Sequence, residues 1–521
     1  MIISQGKPTK DGKYEMQSNV LLLRWREQND AGSWIRKEKV VRDFKPYGYI
    51  NPECMYECVG SNPYSSVSYR KLYPSQVEEL IANTRGATLY RDTDAVSADD
   101  VKLWKVEFDS PTQMGWFRRK FNHNTYNLPE LDGLYEFDVP YTDRYLIDNV
   151  DRLPSYKPRI LYFDLEATQY REPAGPRYPY LERPGHEVRG YQEINTIGCY
   201  DNYSEQYIIW FQHPDLESTR TSEEFDEVDV LIRKFPTEKA MLEDFVDWLD
   251  VVDPDIMTAW ASGFYDFPTL YTRLEATGVG GHRLSPSSLG FHQHMSEVRR
   301  GGRIKGQYSG MEQCINGRIV TDLKEVFARV FKDSTSQDPP SNSLDGVGKM
   351  VFGRGKTDWK PDFFDTEYVK DEWKFLYYNF RDIQLMVEID DKYNVLQGQM
   401  SMQELGRCSY SSTLYVTGFA RVYLMRNANF KQRTGKGFIE NRTSSKDYEG
   451  AIVLDPAERD GIGLSSNVAI IDYAGLYPAM MVCKNIDYTT IVRDGTWMIS
   501  FRVSVVSSRG SLWASYRPWC L

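Results

Sequence analysis

At 521 residues the chain is too long for a single hydrophobic core, so two to four domains are expected. Apolar residues at 41% and charged residues at 26% describe a soluble globular composition, no apolar run reaches the length of a membrane span, and the net charge of −11 speaks superficially against a nucleic-acid partner. The start, MIISQGKPTKDGKYEM, lacks the apolar stretch of a signal peptide, so a cytoplasmic location is expected, and seven scattered cysteines give neither a disulfide framework nor a zinc ligand set.

Residues 1–150 read as a mixed, strand-rich domain. Runs such as Val20–Trp25 and Val101–Phe108 are punctuated by Gly, Pro and Asn/Asp turns. Ser75–Asn83 reads as a short helix capped by Ser75, with Glu78 completing a capping box. Asp92-Thr-Asp94 lies in a turn-like, acid-rich stretch and is read as coincidence.

From about 151 the pattern becomes α/β. Ile160–Phe163 is a buried strand that ends in Asp164-Leu-Glu166. Residues i and i+2 of a strand share a face. The pair therefore suits either a solvated acidic strand end or a hard divalent cation. Strands around Ile194–Tyr200 and Gln206–Phe211 suggest an antiparallel meander. An amphipathic helix is predicted over Glu238–Leu249, followed by a buried strand at Asp255–Trp260. Asp266 then stands at a strand-to-helix junction before a helix over Thr269–Ala276, where it is either an N-cap or a metal-facing carboxylate. Arg318–Leu323 gives another strand. A long helix spanning about 369–391 puts Tyr378 and Asp382 on one face.

Two-metal phosphoryl chemistry needs carboxylates that hold two Mg²⁺ (or Mn²⁺) ions about 4 Å apart, one activating water and one stabilising the leaving oxygen. Asp164, Glu166, Asp266 and Asp382, with Tyr378 to orient the water, supply such a set in order along the chain. The segments ILYFDLEAT, TAWASGFYDFP and YNFRD resemble the three exonuclease motifs of family B DNA polymerases, phage or viral replicative types among them. That resemblance implies an RNase H-like 3′–5′ exonuclease domain over 151–393 with two metals in its site. It departs at Ala261, where the family usually carries Asn.

Farther on, Tyr448-Glu-Gly450-Ala451 resembles the family's Y-x-G-G/A signature. The basic run 421–446, with Arg433 and Lys436 within it, fits phosphate binding by counterion release. Val468–Pro478 resembles polymerase motif A: Asp472 would take the catalytic metals, while Leu476 and Tyr477 would meet the incoming nucleotide. The resemblance covers 1–492 and implies an α/β and α+β multidomain chain. Its parts are an N-terminal domain over 1–150, the exonuclease domain, a linker with the start of an incomplete palm over 394–492, and an unmatched tail over 493–521 rich in Ser, Arg and Trp. The fingers pattern and the second palm motif, Y-G-D-T-D-S, do not occur among these residues. The expectation is a DNA-directed DNA polymerase portion that hydrolyses 3′ ends on single-stranded and primer–template DNA. It would not polymerise alone, and would take a dNTP only with a second chain supplying fingers, thumb and remaining palm. A reading-frame break, a split gene or an interrupting element would explain the tail. The competing readings are a stand-alone 3′–5′ exonuclease and a non-catalytic DNA-binding subunit.

Overall fold

The computed structural model describes residues 1–5, 7–8, 14–15, 19–59, 68–97, 101–121, 133–167, 193–213, 215–286, 315, 317–357, 371–427, 433 and 475–484. Strands β1 (Ile2–Gln5), β2 (Leu21–Gln28) and β3 (Trp34–Val41) form an antiparallel sheet in the order β1-β2-β3. Strand alternation splits β2 into two faces. Leu21 and Leu23 pack with Tyr141, Tyr145 and Leu146, whereas Arg24 and Arg26, both buried, point the other way.

A second antiparallel sheet contains β4 (Tyr47–Ile50), β5 (Ala87–Tyr90), β6 (Trp104–Phe108) and β7 (Leu134–Tyr135), in the order β7-β4-β6-β5. Helices α1 (Pro74–Ala82) and α2 (Pro111–Phe121) bury Val77, Ile81, Met114 and Phe117 against its Ile50, Val106 and Phe108. Helix α1 begins one residue earlier than the sequence predicts. Pro74 takes the first helical position, where a fixed φ and a missing N–H cost nothing, and Gln76 rather than Glu78 accepts from the Tyr73 amide at 3.0 Å. Helix α3 (Tyr141–Asn149) closes this region.

The site belongs to a seven-stranded sheet. Its strands are β8 (Ile160–Ala167), β9 (Ile194–Asp201), β10 (Gln206–Gln212), β11 (Thr219–Phe225), β12 (Val228–Phe235), β13 (Ile256–Ala259) and β14 (Ile319–Asp322), in the order β11-β12-β10-β9-β8-β13-β14. The predicted meander is β8, β9 and β10, paired antiparallel in succession. Strands β8, β13 and β14 run parallel, so their carboxyl ends share one edge of the sheet. Ligands in α/β sheets collect at such edges.

Both faces of the sheet are covered. Leu161, Phe163 and Leu165 pack on α4 (Glu238–Val252) and α5 (Phe267–Ala276). Ile160 and Tyr162 pack on the 22-residue helix α8 (Glu372–Tyr393) through Phe375, Phe380 and Ile383. Helices α6 (Leu323–Thr335) and α7 (Leu344–Phe352) lie between them in sequence. Alternation continues past Tyr162, so Asp164 and Glu166 emerge on the α8 side.

The N-terminal strands are joined to this body by charge. Arg24 donates to Asp253 at 2.8 Å and to Glu38 at 2.7 Å, Arg26 donates to Asp255 at 2.6 Å, and Arg36 pairs with both aspartates. After α8 come α9 (Val395–Gly406), the single turn α10 (Tyr410–Thr413) and α11 (Val416–Asn427). Gln403 of α9 donates to the Met1 carbonyl at 2.8 Å, and Asp143 of α3 accepts from the Ser409 amide at 2.7 Å. The last described element is α12 (Leu476–Cys483), preceded by Gly475 at φ 65°. A left-handed φ suits glycine there.

Candidate metal centre

Three side chains meet beside β8. Oxygens of Asp164, Glu166 and Asp382 lie within 4.8 Å of one another, Asp382 being buried and the other two partly exposed. At an effective dielectric of about 20, unit charges at that spacing repel by about 3 kcal/mol per pair. The strand places two of them on one face, and α8 brings the third down onto that face.

The protonation behaviour follows from this crowding. Burial first, then the charge of Asp266, raises Asp164 from 3.8 to about 7, against the pull of Lys356 and a hydrogen bond from Asn379. Burial and then Asp164 raise Asp382 to about 7, and burial with Asp164 and Asp382 pushes Glu166 well above its usual range. Asp266 is 3% exposed, and burial followed by the Asp322 charge raises it to about 7. Tyr378 is pushed upward by burial, then by Asp382 and Glu166, so its phenol keeps its proton at neutral pH.

Asp266 closes a single π-turn, Ser262–Asp266, that links β13 to α5. It stands at the N-cap position of α5 with a helical backbone, and its side chain makes no capping hydrogen bond. The turn is tied to β14: Ser262 donates to the Thr321 carbonyl at 2.9 Å, and the Gly263 amide donates to Asp322 at 3.4 Å. Asp322 caps α6, and burial is the first cause of its rise to about 6.

Three further residues belong to this centre and escaped the sequence reading. Lys356 donates to Asp382, and its ammonium lies 5.3 Å from the centroid of the Tyr378 ring. Burial alone would lower Lys356, but Asp382 and Asp164 outweigh it and hold it above its ordinary value. The Asn379 amide donates to Asp164 at 3.0 Å. Asp322 stands behind Asp266. Only Asn379 had a local signal, lying inside YNFRD on the helical face shared with Asp382; nothing near Lys356 in sequence announces a partner 26 residues away.

The donor set fits a hard divalent cation. All ligand atoms are carboxylate oxygens, their charge is only partly offset by one lysine, and the second oxygen of Asp382 is buried without a hydrogen-bond partner among the described residues.

The downstream positions stand differently. Asp472, Tyr448, Gly450 and Lys436 lie outside the described residues, as do residues 485–521; of Leu476 only the backbone, opening α12, is described. Tyr477 is 81% exposed. Arg433 lies over the Tyr49 ring at 4.7 Å and 3.8 Å from Glu136, Arg421 pairs with Asp138 at 3.2 Å, and Arg426 donates to the Val150 and Leu146 carbonyls at 2.6 Å. In this structure these three cations of the basic run are engaged with residues of the N-terminal 150. Asp92 of the early D-T-D is exposed and paired with Lys102 at 3.0 Å. Among the described residues no helix is long and apolar enough to cross a membrane.

Comparison with known proteins bears on the same segments. Residues 157–345 match "DNA polymerase family B, exonuclease domain", and residues 413–503 match "DNA polymerase family B". The second match contains Asp472 and runs past 492, where the motif resemblance stops; the Tyr378–Asp382 motif falls between the two. A DNA polymerase of Desulfurococcus sp. (strain Tok) is 26% identical over 404 residues, covering 76% of this chain and 45% of that protein. One of Thermococcus litoralis is 25% identical over 438 residues, covering 81% of this chain and 23% of that protein, and one of Thermococcus gorgonarius is 25% identical over 410, covering 76% and 45%. The chain thus spans less than half the length of these relatives. With the carboxylate centre on a sheet matched as an exonuclease domain and a second match over the polymerase motif, the chain belongs to DNA polymerase family B.

Proposed function

We propose that this chain carries a working 3′–5′ DNA exonuclease site formed by Asp164, Glu166, Asp266, Tyr378 and Asp382, of the kind that proofreads in a replicative polymerase. The observation that carries the reading is the convergence of three carboxylate oxygens within 4.8 Å, with Asp266 near enough for its charge to raise Asp164. Asp164, Glu166, Asp266 and Asp382 would hold two Mg²⁺ or Mn²⁺ ions. When bound, such ions supply an activated water and charge stabilisation at the leaving oxygen.

The chain's own groups do the rest. Tyr378, protonated and one helical turn before Asp382, donates a hydrogen bond that orients the attacking water. Lys356 offsets part of the negative charge a phosphodiester would otherwise meet. The parallel strands and α8 hold these groups on regular elements, which fixes their spacing.

Asp472, with Leu476 and Tyr477 at the nucleotide, Tyr448, Gly450 and Lys436 at DNA, and Arg433 once released from Glu136, are our assignments for the polymerase part. We divide the chain at about 150, 393 and 492. One palm carboxylate does not bracket two metals, so the 521 residues alone should shorten primers and not extend them. Extension would need fingers, thumb and remaining palm, for which a second chain is one source, together with primer–template and dNTP. Ala261 alone favours the reading of a non-catalytic DNA-binding subunit.

The deciding experiment is Mg²⁺-dependent shortening of a 5′-labelled single strand, followed on a gel. Asp164→Ala and Asp382→Ala should each abolish it; stepwise shortening that persists in either purified variant refutes the assignment.

A further inference from the structure

We infer that Asn379 is a positioning residue for Asp164, and that position 198 must be glycine to admit it. The inference rests on the exonuclease reading above and adds to it a residue that touches the carboxylate rather than the substrate.

Helix α8 delivers Tyr378, Asn379 and Asp382 within one turn, but Asn379 points inward and is fully buried. Its amide nitrogen donates to Asp164 at 3.0 Å. With Asp164 ionised, as a metal ligand must be, the orientation of the amide is fixed by chemistry, because only the NH₂ end can face a carboxylate. Its oxygen therefore turns toward β9, where it has no hydrogen-bond partner among the described residues. A buried acceptor left unmade carries a free-energy cost, and an apolar side chain of similar size would avoid it. A position selected for packing alone has no reason to keep the amide.

Gly198 lies directly across from Asp164 in the β8–β9 register. A Cβ there would come within 2.1 Å of the Asn379 oxygen and 2.3 Å of Ile383. The missing side chain thus creates the space in which the amide reaches Asp164. Glu166, Asp266 and Asp382 all carry the same charge as Asp164 and push its carboxylate away from them. The donor on α8 ties one Asp164 oxygen from behind and so sets the rotation of the carboxylate relative to Glu166 and Asp382. Residues standing behind metal ligands in this way tune affinity about 10–100-fold.

The test uses the 521-residue chain and two readouts, Mn²⁺ affinity by electron paramagnetic resonance and single-strand shortening. Asn379→Ala should weaken Mn²⁺ binding about 10–100-fold and lower kcat by a similar factor, with KM for the strand unchanged. Should the alanine variant fail to fold, Asn379→Ser supplies the same measurement, since its hydroxyl is too short to reach Asp164. Gly198→Ala should reproduce the loss. In metal affinity the double variant should be no worse than Asn379→Ala, because the glycine acts on Asp164 through the amide, whereas the Ile383 contact bears on packing and is read separately as a loss of stability. Wild-type Mn²⁺ affinity and kcat in Asn379→Ala, alongside an inactive Asp164→Ala, overturn this inference and leave the exonuclease reading standing. Full additivity in the double variant overturns the role given to Gly198. An active Asp164→Ala overturns both the inference and the reading beneath it.

Discussion

Two groups of buried and half-buried carboxylates sit at opposite ends of the same parallel strands, and the chain treats them differently. At the amino ends, Asp253 and Asp255 meet Arg24, Arg26 and Arg36, and the Arg159 amide also donates to Asp255 at 2.8 Å. At the carboxyl ends, Asp164, Glu166, Asp266 and Asp382 share Lys356 as their common cation among the described residues, with Arg381 acting on Asp382 as well. About 16 Å of strand separates Arg159 from Asp164 at the usual rise per residue. Burial raises the carboxyl of Asp253, but Arg36, Arg24 and Arg318 outweigh it and hold that group below its ordinary value. Burial and mutual repulsion hold the other set above it. The first group is complete as folded protein and joins two parts of the chain. The second is complete only with further positive charge, which distinguishes a site from a joint.

The largest expected contrast lies in activity. Removing Asp164 or Asp382 should cut strand shortening by about 10³-fold or more, since metal-held charge supplies several kcal/mol to such a transition state. Thermal unfolding of Asp164→Ala without metal should stay near the wild-type temperature, because the repulsion removed offsets the acceptor that the Asn379 amide loses. Calorimetry that instead shows a large loss would make the carboxylates structural.

Next comes the joint. Arg26→Ala leaves Asp255 buried with Arg36 as its remaining guanidinium, and should destabilise by about 3 kcal/mol, the lower end for a broken buried pair. Denaturant melts should show the loss while Mn²⁺ affinity of the folded protein stays unchanged. A joint that breaks without cost would reduce the first group to surface decoration.

Cation linkage should give a smaller, opposite signature. Mg²⁺ at about 100 times its dissociation constant should stabilise the wild type by about 2.7 kcal/mol. Arg26→Ala should keep this gain and Asp382→Asn should lose most of it, as read from melts with Mg²⁺ or EDTA.

The two groups also respond oppositely to pH in the metal-free protein. A carboxyl whose folded pKa is raised stabilises fully below its unfolded value. That contribution is lost as pH climbs from about 3.8 toward about 7 for Asp164, Asp266 and Asp382. Asp253, being depressed, works the other way: its contribution is present above about 3.9 and disappears as acid titrates it below that. Asp164→Asn should flatten the melting-temperature slope between pH 4 and 7 and leave the acid limb intact. An unchanged slope would show that the site carboxylates are not held protonated.

Much of the site was legible because periodicity and spacing are local. Asp164 and Glu166 two apart on a strand, and Tyr378 and Asp382 four apart on a helix, need no tertiary information. Lys356, Asn379 and Asp322 were not legible in the same way, since each acts on a partner 26 to 215 residues away or across a strand edge. The basic run shows a different limit of sequence reading. Its charge excess is real in sequence, yet Arg421, Arg426 and Arg433 are engaged by Asp138, main-chain carbonyls and Glu136, which no count of cations reveals.

The hydrogen bond between Gln403 and the Met1 carbonyl spans 402 positions of sequence. A ribosome adding about 5–20 residues per second reaches residue 403 roughly 20 to 80 s after residue 1. Through that interval β1 and β2 have neither α9 nor, until past residue 255, the aspartates that neutralise Arg24 and Arg26. The three strands can pair with one another within the first 41 residues, yet the contacts that bury Arg24 and Arg26 wait for a far later part of the chain, so this sheet is assembled long before its charges are neutralised.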